Sequence, residues 1–257
     1  MKTIFSFVLM LAATTVFGDI KIETVEYKQG DTPLEGYLAY DDAQAGPRPA
    51  VIVVHDWMGN GEFSKKKAAD LAQLGYVGFA ADIYGKGVRA KDPKEAAELA
   101  GKFKGDRALL RSRVTAALDT LKQLPKVDPK RIAIMGFCFG GTTALELARS
   151  GADIVGVVSF HGGLSTPTPA DAKNIKAKLL ILHGADDPFV KPDEVTAFKK
   201  EMDDAKVNYK LISYPGAVHG FTNPAAGTDN SKGAAYNENA DKLSWGAMKQ
   251  FFADVLK

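Results

Sequence analysis

Short apolar runs alternate with amphipathic stretches along most of the sequence. Runs of four to seven mainly apolar residues are typical of strands buried on both faces of a parallel sheet. Between these runs, apolar residues recur three and four positions apart, which predicts helices. The predicted strands are residues 51–54, 77–81, 131–135, 154–160, 178–182 and 209–214. The predicted helices are residues 64–74, 93–103, 107–124, 141–149, 192–204 and 241–256.

Two further strands precede this alternating pattern. Residues 21–27 and 34–40 flank Gly30-Asp31, whose turn chemistry predicts a β-hairpin. The alternation that follows predicts a doubly wound, mostly parallel sheet with helices on both faces, in one α/β domain over residues 19–257. Ligands on such a sheet bind beyond the carboxyl ends of the strands. Candidate chemistry is therefore expected at those strand ends.

One strand end carries the single cysteine of the chain. Gly136-Phe137-Cys138-Phe139-Gly140 joins a predicted strand to a predicted helix. Gly-x-Cys-x-Gly in this place is typical of the nucleophile elbow of the α/β-hydrolase fold, with Cys in place of Ser. The glycines permit a sharp turn, and a helix N-terminus favours a thiolate. The alternative is a glycine-rich turn around a buried structural cysteine.

An acid and a base follow the cysteine in the order that this fold uses. Asp187 follows an apolar strand in a Gly-x-x-Asp-x-x-Val turn, whereas Asp186 is more typical of a turn residue that bonds its own backbone. His219 lies on a loop after the next strand. A loop histidine alone is usually solvated, but the three residues in this order predict a triad of Cys138, Asp187 and His219.

Five segments together carry a resemblance to one family. They are residues 51–59, 75–84, 136–141, 185–190 and 216–221. With them the chain resembles the dienelactone hydrolase (carboxymethylenebutenolidase) family from about Val25 to the C-terminus. The cysteine elbow makes the resemblance specific, because most α/β-hydrolases use serine. It implies an α/β-hydrolase fold and, with the predicted triad, a thiol-dependent hydrolase of carboxylic esters or lactones.

The loop after the strand 51–54 supplies further candidates. In this fold one oxyanion-hole amide belongs to the residue after the nucleophile and one to this region, which predicts Phe139 and Trp57 as backbone donors. The Trp57 side chain is expected either to line the pocket or to pack. Members of the resembled family have Glu at the position of Asp56, associated with pairing to the resting cysteine. Asp56 is one methylene shorter, and a surface acid or a loop cap is its alternative role.

Lys86 and Asn223 occupy the places where family members that cleave dienelactone hold the substrate carboxylate with arginines. Lysine offers a point charge rather than a planar fork, and asparagine offers no charge. Lys86 is therefore a candidate substrate-binding residue, with a solvated lysine as the alternative, and a preference for anionic substrates is expected to be weak or absent. His161, at a strand end, is expected to line the pocket or to pack behind it, and His183 is expected to be structural.

The composition limits the classes of partner that the chain is expected to bind. The 257 residues are 46% hydrophobic and 25% charged, and their net charge of +2 is too small to predict binding to nucleic acid or anionic membranes. No spacing of the four histidines resembles a ligand set, so we predict no metal and no organic cofactor. The expected partner is a small-molecule ester or lactone, and the chain is expected to be a monomer or weak oligomer.

The first 18 residues have a different character. Met1-Lys2 is followed by the apolar run 4–11 and by small residues up to Gly18, a pattern typical of a cleaved signal peptide. An N-terminal strand or a membrane anchor are alternatives, but the apolar run is shorter than the roughly 20 residues of a span. The sequence therefore predicts a mature chain from about Asp19, exported to the periplasm or secreted, without stable membrane insertion.

Two other classes of function compete with hydrolysis. One is a non-catalytic periplasmic binding or interaction domain on the same fold. An intact triad argues against it, because binding needs none of the three groups. The other is a cysteine-based redox protein, which ranks last because the chain has no resolving cysteine.

Overall fold

An eight-stranded sheet runs through residues 18–257, the part of the chain that the computed structural model describes. The strands are β1 (Ile20–Gln29), β2 (Thr32–Asp41), β3 (Arg48–Val54), β4 (Val77–Ala81), β5 (Val127–Phe137), β6 (Gly156–Phe160), β7 (Lys178–Gly184) and β8 (Tyr209–Tyr214). Across the sheet their order is β1-β2-β4-β3-β5-β6-β7-β8. β2 pairs antiparallel with β1 and β4, and the other neighbouring strands are parallel. The predicted mostly parallel sheet is confirmed.

Helices cover both faces of this sheet. They are α1 (Glu62–Gln73), α2 (Pro93–Gly105), α3 (Arg107–Lys122), α4 (Phe139–Arg149), α5 (Pro192–Asp204) and α6 (Glu238–Val255). One apolar core packs α2, α3, α4 and α5 against the sheet, and a second core packs α1 and α6 against the other face. Among the described residues, no helix combines the length and the apolar character needed to cross a membrane.

The connection between β5 and α4 is tighter than the sequence pattern predicts. β5 extends to Phe137 and α4 begins at Phe139, so Cys138 alone separates strand from helix. The predicted strand stopped at residue 135 and the predicted helix began at 141, because the glycines at 136 and 140 interrupt both patterns. The turn therefore takes place at a single residue.

Two parts of the chain fall outside simple strand–helix alternation. The predicted signal peptide, residues 1–18, lies outside the described residues except for Gly18. The segment between β8 and α6 carries His219 and two 3-10 turns, Pro224–Ala226 and Asn230–Lys232, which the apolar pattern does not predict. This segment runs past the carboxyl ends of the strands and helps to build the candidate site.

Candidate active site

Cys138 occupies a strained turn at the carboxyl end of β5. Its φ of 54° and ψ of −112° lie where non-glycine residues are rare, and strain of this kind concentrates at functional sites. A Cβ at Gly136 would lie 2.0 Å from the Gly140 carbonyl oxygen, and one at Gly140 would lie 2.3 Å from the Val54 carbonyl oxygen. The Gly-x-Cys-x-Gly pattern is thus required by close backbone contact on both sides of a partly exposed cysteine.

Asp187 and His219 are joined by a hydrogen bond of 2.8 Å between Oδ2 of the acid and Nδ1 of the imidazole. The other carboxylate oxygen of Asp187 accepts the backbone N–H groups of Phe189 and Val190, which fixes the acid in its turn. The Asp187 side chain is fully buried. Asp186 is exposed and accepts the backbone N–H of Gly216 instead. The prediction that Asp186 bonds its own backbone is therefore wrong: its partner lies on the loop after β8, and the local backbone bonds belong to Asp187.

His219 contacts Cys138 as well as Asp187. Burial lowers the pKa of His219, but the negative charge of the Cys138 sulfur and the hydrogen bonds to Asp187 and Cys138 outweigh burial and raise that pKa to about 10. An imidazole placed between a carboxylate and a sulfur can carry a positive charge while the sulfur is negative. The three predicted side chains therefore meet at one edge of the sheet.

The backbone of His219 is held by a later segment. Its N–H donates to the Gly233 carbonyl at 3.2 Å, and its carbonyl accepts the N–H of Ala235 at 3.0 Å. The ring of Phe189, which is 60% exposed, stands edge-on to the imidazole with 5.4 Å between ring centroids. Phe189 lies within the segment 185–190 that carries the family resemblance but is not among the predicted site residues.

The two backbone amides predicted to form the oxyanion hole are free to donate. Neither the N–H of Trp57 nor that of Phe139 has an acceptor within residues 18–257. The Trp57 carbonyl accepts the Tyr84 hydroxyl at 3.0 Å, which fixes the orientation of the peptide that follows Trp57. Burial, and then the charges of Cys138 and Asp56, raise the pKa of Tyr84 and keep its phenol protonated. Tyr84 lies within a segment that carries the family resemblance but is not among the predicted site residues.

Asp56 braces the same loop. Its Oδ1 accepts the Met58 N–H at 2.9 Å, and its carbonyl accepts a hydrogen bond of 2.6 Å from Nδ1 of His55. Nε2 of His55 accepts the backbone N–H of Ile83, and burial lowers the pKa of His55 to about 4, so this ring is neutral. The observed hydrogen bonds of Asp56 match the loop-cap alternative. The Trp57 side chain is 37% exposed.

The two positions expected to hold a substrate carboxylate do not present free cations. Lys86 forms an ion pair of 2.5 Å with Glu26 on β1, the outermost strand of the sheet. Asn223 accepts the Ala225 N–H and caps a 3-10 turn. The structure thus brings Cys138, Asp187 and His219 together and gives Lys86 a partner from a different part of the sheet.

His161 is buried next to Cys138, with 3% of its surface accessible. It contacts Cys138, Thr222 and His219, and Thr222 is a buried partner that no sequence signal indicates. His183 is also buried and shares no hydrogen bond with the triad residues. Across residues 18–257 no group of three or more His, Cys, Asp or Glu side chains is arranged to hold a metal ion.

The sheet order and a strained residue between β5 and α4 define an α/β-hydrolase. A sequence profile of the dienelactone hydrolase family matches residues 34–256, and the chain belongs to this family. Protein usf of Aquifex pyrophilus is 29% identical over 238 residues, which cover 91% of this chain and 99% of that protein.

Solved structures agree with this assignment. A dienelactone hydrolase-like promiscuous phosphotriesterase from metagenomic libraries is 38% identical with a TM-score of 0.88, over 93% of this chain and 100% of that one. A protein named m3DLH is 40% identical with a TM-score of 0.90 over the same shares. A dipeptidyl peptidase 4 of Porphyromonas gingivalis, at 17% identity and a TM-score of 0.68, shares the fold; the match covers 94% of this chain and 36% of that one.

Proposed function

We propose that this protein is a thiol-dependent hydrolase of carboxylic esters or lactones, with Cys138 as nucleophile, His219 as base and acid, and Asp187 as the group that orients the imidazole. The observation that carries the proposal is the placement of His219 between the Asp187 carboxylate and the Cys138 sulfur. A binding domain needs no such arrangement. Hydrolase activity is also the activity of the family to which the chain belongs.

In the reacting state the Cys138 proton already lies on Nε2 of His219 and the sulfur is a thiolate, in agreement with the raised pKa of His219. Asp187 accepts the Nδ1–H of the ring and stabilises the imidazolium. The sulfur attacks the substrate carbonyl carbon, and the resulting oxyanion accepts hydrogen bonds from the amides of Trp57 and Phe139. One such donor contributes about 2.7–4 kcal/mol to transition-state stabilisation.

Collapse of the tetrahedral intermediate breaks the bond to the leaving oxygen. His219 returns its proton to that oxygen, and the acyl group remains on Cys138 as a thioester. His219 then takes a proton from water, the hydroxide attacks the thioester, and the acid product leaves as the thiolate is restored. An unprotonated amide nitrogen is harder to expel than an ester oxygen, because its anion is far more basic, so esters and lactones are the expected substrates rather than peptides.

The charges around the site favour neutral substrates. Lys86 is already paired with Glu26, and Asn223 carries no charge. The Asp56 carboxylate lies close enough to His219 for the two charges to interact. A negatively charged substrate would therefore meet a carboxylate without a free cation from either expected position.

A screen of p-nitrophenyl esters and small lactones tests the proposal, with a phosphotriester included because one similar solved protein is a promiscuous phosphotriesterase. The wild-type protein is expected to cleave at least one neutral ester. Cys138→Ala is expected to remove turnover and to keep the circular dichroism spectrum of the wild type. Undiminished ester cleavage by Cys138→Ala would exclude Cys138 as nucleophile, and no cleavage by the wild type would favour a binding domain.

Export is a second, separate part of the proposal. It is supported by the charge, apolar run and small residues of residues 1–18. Intact-mass measurement of protein recovered from the native host tests it. A chain that begins near Asp19 is expected, and a retained Met1 would contradict export by cleavage.

A further inference from the structure

Two strained residues stand side by side at the candidate site. Within residues 18–257 three non-glycine residues have a positive φ, and two of them are Cys138 at 54° and His161 at 40°. The residues that precede them, Phe137 and Phe160, are register partners on β5 and β6. Strain at a non-glycine residue persists only where surrounding contacts hold it, and it clusters at functional sites. The strain at His161 has no explanation in the triad itself.

Three polar groups of His161 have partners that can hold this conformation. Its N–H donates to the Leu182 carbonyl at 2.8 Å. Its Nδ1 accepts the backbone N–H of Cys138 at 3.2 Å, and its Nε2 donates to Oγ1 of Thr222 at 2.8 Å. A ring that accepts at Nδ1 and donates at Nε2 is neutral. Burial, and then the neighbouring His219, hold the pKa of His161 well below its usual value, in agreement with this assignment.

The ring of His161 also packs against the imidazole of His219, the proposed base for Cys138. The centroids of His161 and His219 are 5.3 Å apart, with the rings at 63°. Phe221 encloses His161 on a second side at 5.0 Å. One buried side chain therefore contacts the backbone of the proposed nucleophile and the ring of the proposed base.

We propose that His161 is a positioning residue that fixes the backbone of Cys138 and the ring of His219 relative to each other. The N–H of Cys138 is shared between Nδ1 of His161 and the Phe160 carbonyl, which lies 3.0 Å away. This N–H already has two acceptors, which leaves the role of oxyanion donor to Phe139 and Trp57. The proposal rests on the proposed function, because it concerns how the Cys138–His219 pair is aligned.

Two variants at one position separate the hydrogen bond from the backbone conformation. Asparagine and glycine both tolerate a positive φ, but only asparagine offers an acceptor oxygen near the place of Nδ1. His161→Asn is expected to keep kcat for a neutral ester within about threefold of wild type, and His161→Gly to lower kcat about tenfold, the equivalent of one hydrogen bond. KM is expected to stay within about twofold in both, since neither variant removes a group that touches substrate.

Alkylation of Cys138 by iodoacetamide gives a readout that needs no substrate. The chain has one cysteine, so the rate reports this site alone. At pH 7 the rate constant is expected to fall about tenfold in His161→Gly and less than about threefold in His161→Asn, in parallel with kcat. His183→Asn is the control, because it removes another buried histidine at a strand end that has no hydrogen bond to Cys138 or His219. It is expected to leave the alkylation rate unchanged.

Thr222 offers a second route to the same contact. Thr222→Val removes the acceptor for Nε2 of His161, and Thr222→Ser retains it. The valine variant is expected to be about threefold slower in kcat and alkylation, and the serine variant to match wild type.

Three results would overturn the proposal. They are wild-type kcat and alkylation in His161→Gly, an equal loss in the asparagine and glycine variants, or equal rates in Thr222→Val and Thr222→Ser. If Cys138→Ala still cleaves esters, the proposed function fails. The alkylation rates would then still decide whether His161 aligns the thiol.

Discussion

Helix α4 is held by neutral hydrogen bonds at its N-terminal end and by ion pairs at its C-terminal end. All eleven of its residues are buried. At its N-terminus, the N–H of Cys138 donates neutral hydrogen bonds to the Phe160 carbonyl and to the ring of His161. At its C-terminus, the buried guanidinium of Arg149 pairs with Glu146 at 3.2 Å and with Glu201 at 2.8 Å. The first end carries strain, and the second carries ion pairs.

The ion pairs at the second end extend beyond the helix. Arg111 on α3 contacts both Glu146 and Asp171, and Arg149 also donates to the Leu164 carbonyl. Since α4 rises about 1.5 Å per residue, this network lies roughly 15 Å from Cys138. The difference suggests a division of tasks, in which the C-terminal end anchors the helix in the fold and the N-terminal end sets the alignment of reactive groups. Variants at each end can test this division.

The largest effect is expected at the N-terminal end. Asp187→Asn removes the negative charge beside His219 and presents an N–H or a neutral oxygen to Nδ1, which favours the wrong tautomer. kcat for a neutral ester is expected to fall by about three to four orders of magnitude, as in other triads, with little change in the free energy of unfolding. Asp186→Asn, at the exposed neighbouring acid, is the matched control and is expected to retain activity. Equal losses in both variants would contradict the assignment of the acid.

The second-largest effect is expected from a variant at the C-terminal end of α4, and it is expected to change stability alone. Arg149→Met leaves the buried carboxylate of Glu201 without its partner and that of Glu146 with Arg111 alone, and is expected to cost about 3–5 kcal/mol of unfolding free energy. Urea denaturation measures this cost, and kcat per folded molecule is expected to stay within about twofold. Lys200→Met on α5 breaks an exposed pair with Asp204 and is expected to leave the urea midpoint almost unchanged. A large loss of kcat in folded Arg149→Met would show that the two ends are coupled.

Lowering the pH is expected to reduce the free energy of unfolding, because two buried histidines near the N-terminal end of α4 are neutral in the folded protein. The folded-state pKa of His55, about 4, lies below the unfolded value near 6.5, so the unfolded chain gains a proton first as the pH falls. The folded-state pKa of His161 also lies well below its unfolded value. Between pH 7 and pH 5.5 each is expected to remove about 1 kcal/mol of unfolding free energy. The raised pKa of His219 has the opposite sign: the folded protein holds this proton throughout the window while the unfolded chain only gains it as the pH falls, so His219 adds about 0.8 kcal/mol of unfolding free energy and offsets part of the loss.

Urea unfolding at several pH values checks this dependence. His55→Gln keeps polar groups beside the Asp56 carbonyl and the Ile83 N–H but does not titrate there. Its unfolding free energy is expected to vary less between pH 7 and pH 5.5 than that of the wild type. An unchanged slope would mean that His55 is not neutral in the folded protein.

The smallest effect is expected from the charge of Lys86, which lies at neither end of α4. Lys86→Ala removes the partner of Glu26 and is expected to leave the ratio of kcat/KM for a matched anionic and neutral ester within about twofold of wild type. Glu26→Gln frees the ammonium and is the control. A strong anionic preference that is lost in Lys86→Ala would place Lys86 in the substrate site after all.

The strand–helix alternation and the placement of Cys138, Asp187 and His219 at strand ends could be predicted because both depend on local pattern. Apolar runs identify the strands, and the glycines around Cys138 reflect contacts with backbone only a few residues or one strand away. The partner of Lys86 could not be predicted, since Glu26 lies sixty residues earlier and meets it only when β1 folds onto the sheet edge. The role of His161 could not be predicted, because it depends on its φ of 40° and on its contact with Thr222. Neither the conformation nor the contact can be read from the sequence.

The bridge between His219 and the segment around Ala234 has a consequence for heat inactivation. The backbone of the proposed base is secured by Gly233 and Ala235, in a stretch made of short 3-10 turns with few buried residues. Such a stretch opens at lower free energy than the strands and helices of the core. We expect amide hydrogens of this segment to exchange early, and ester cleavage to disappear on warming before the helical signal does. The working lifetime of the protein would then be set by one surface segment rather than by its core.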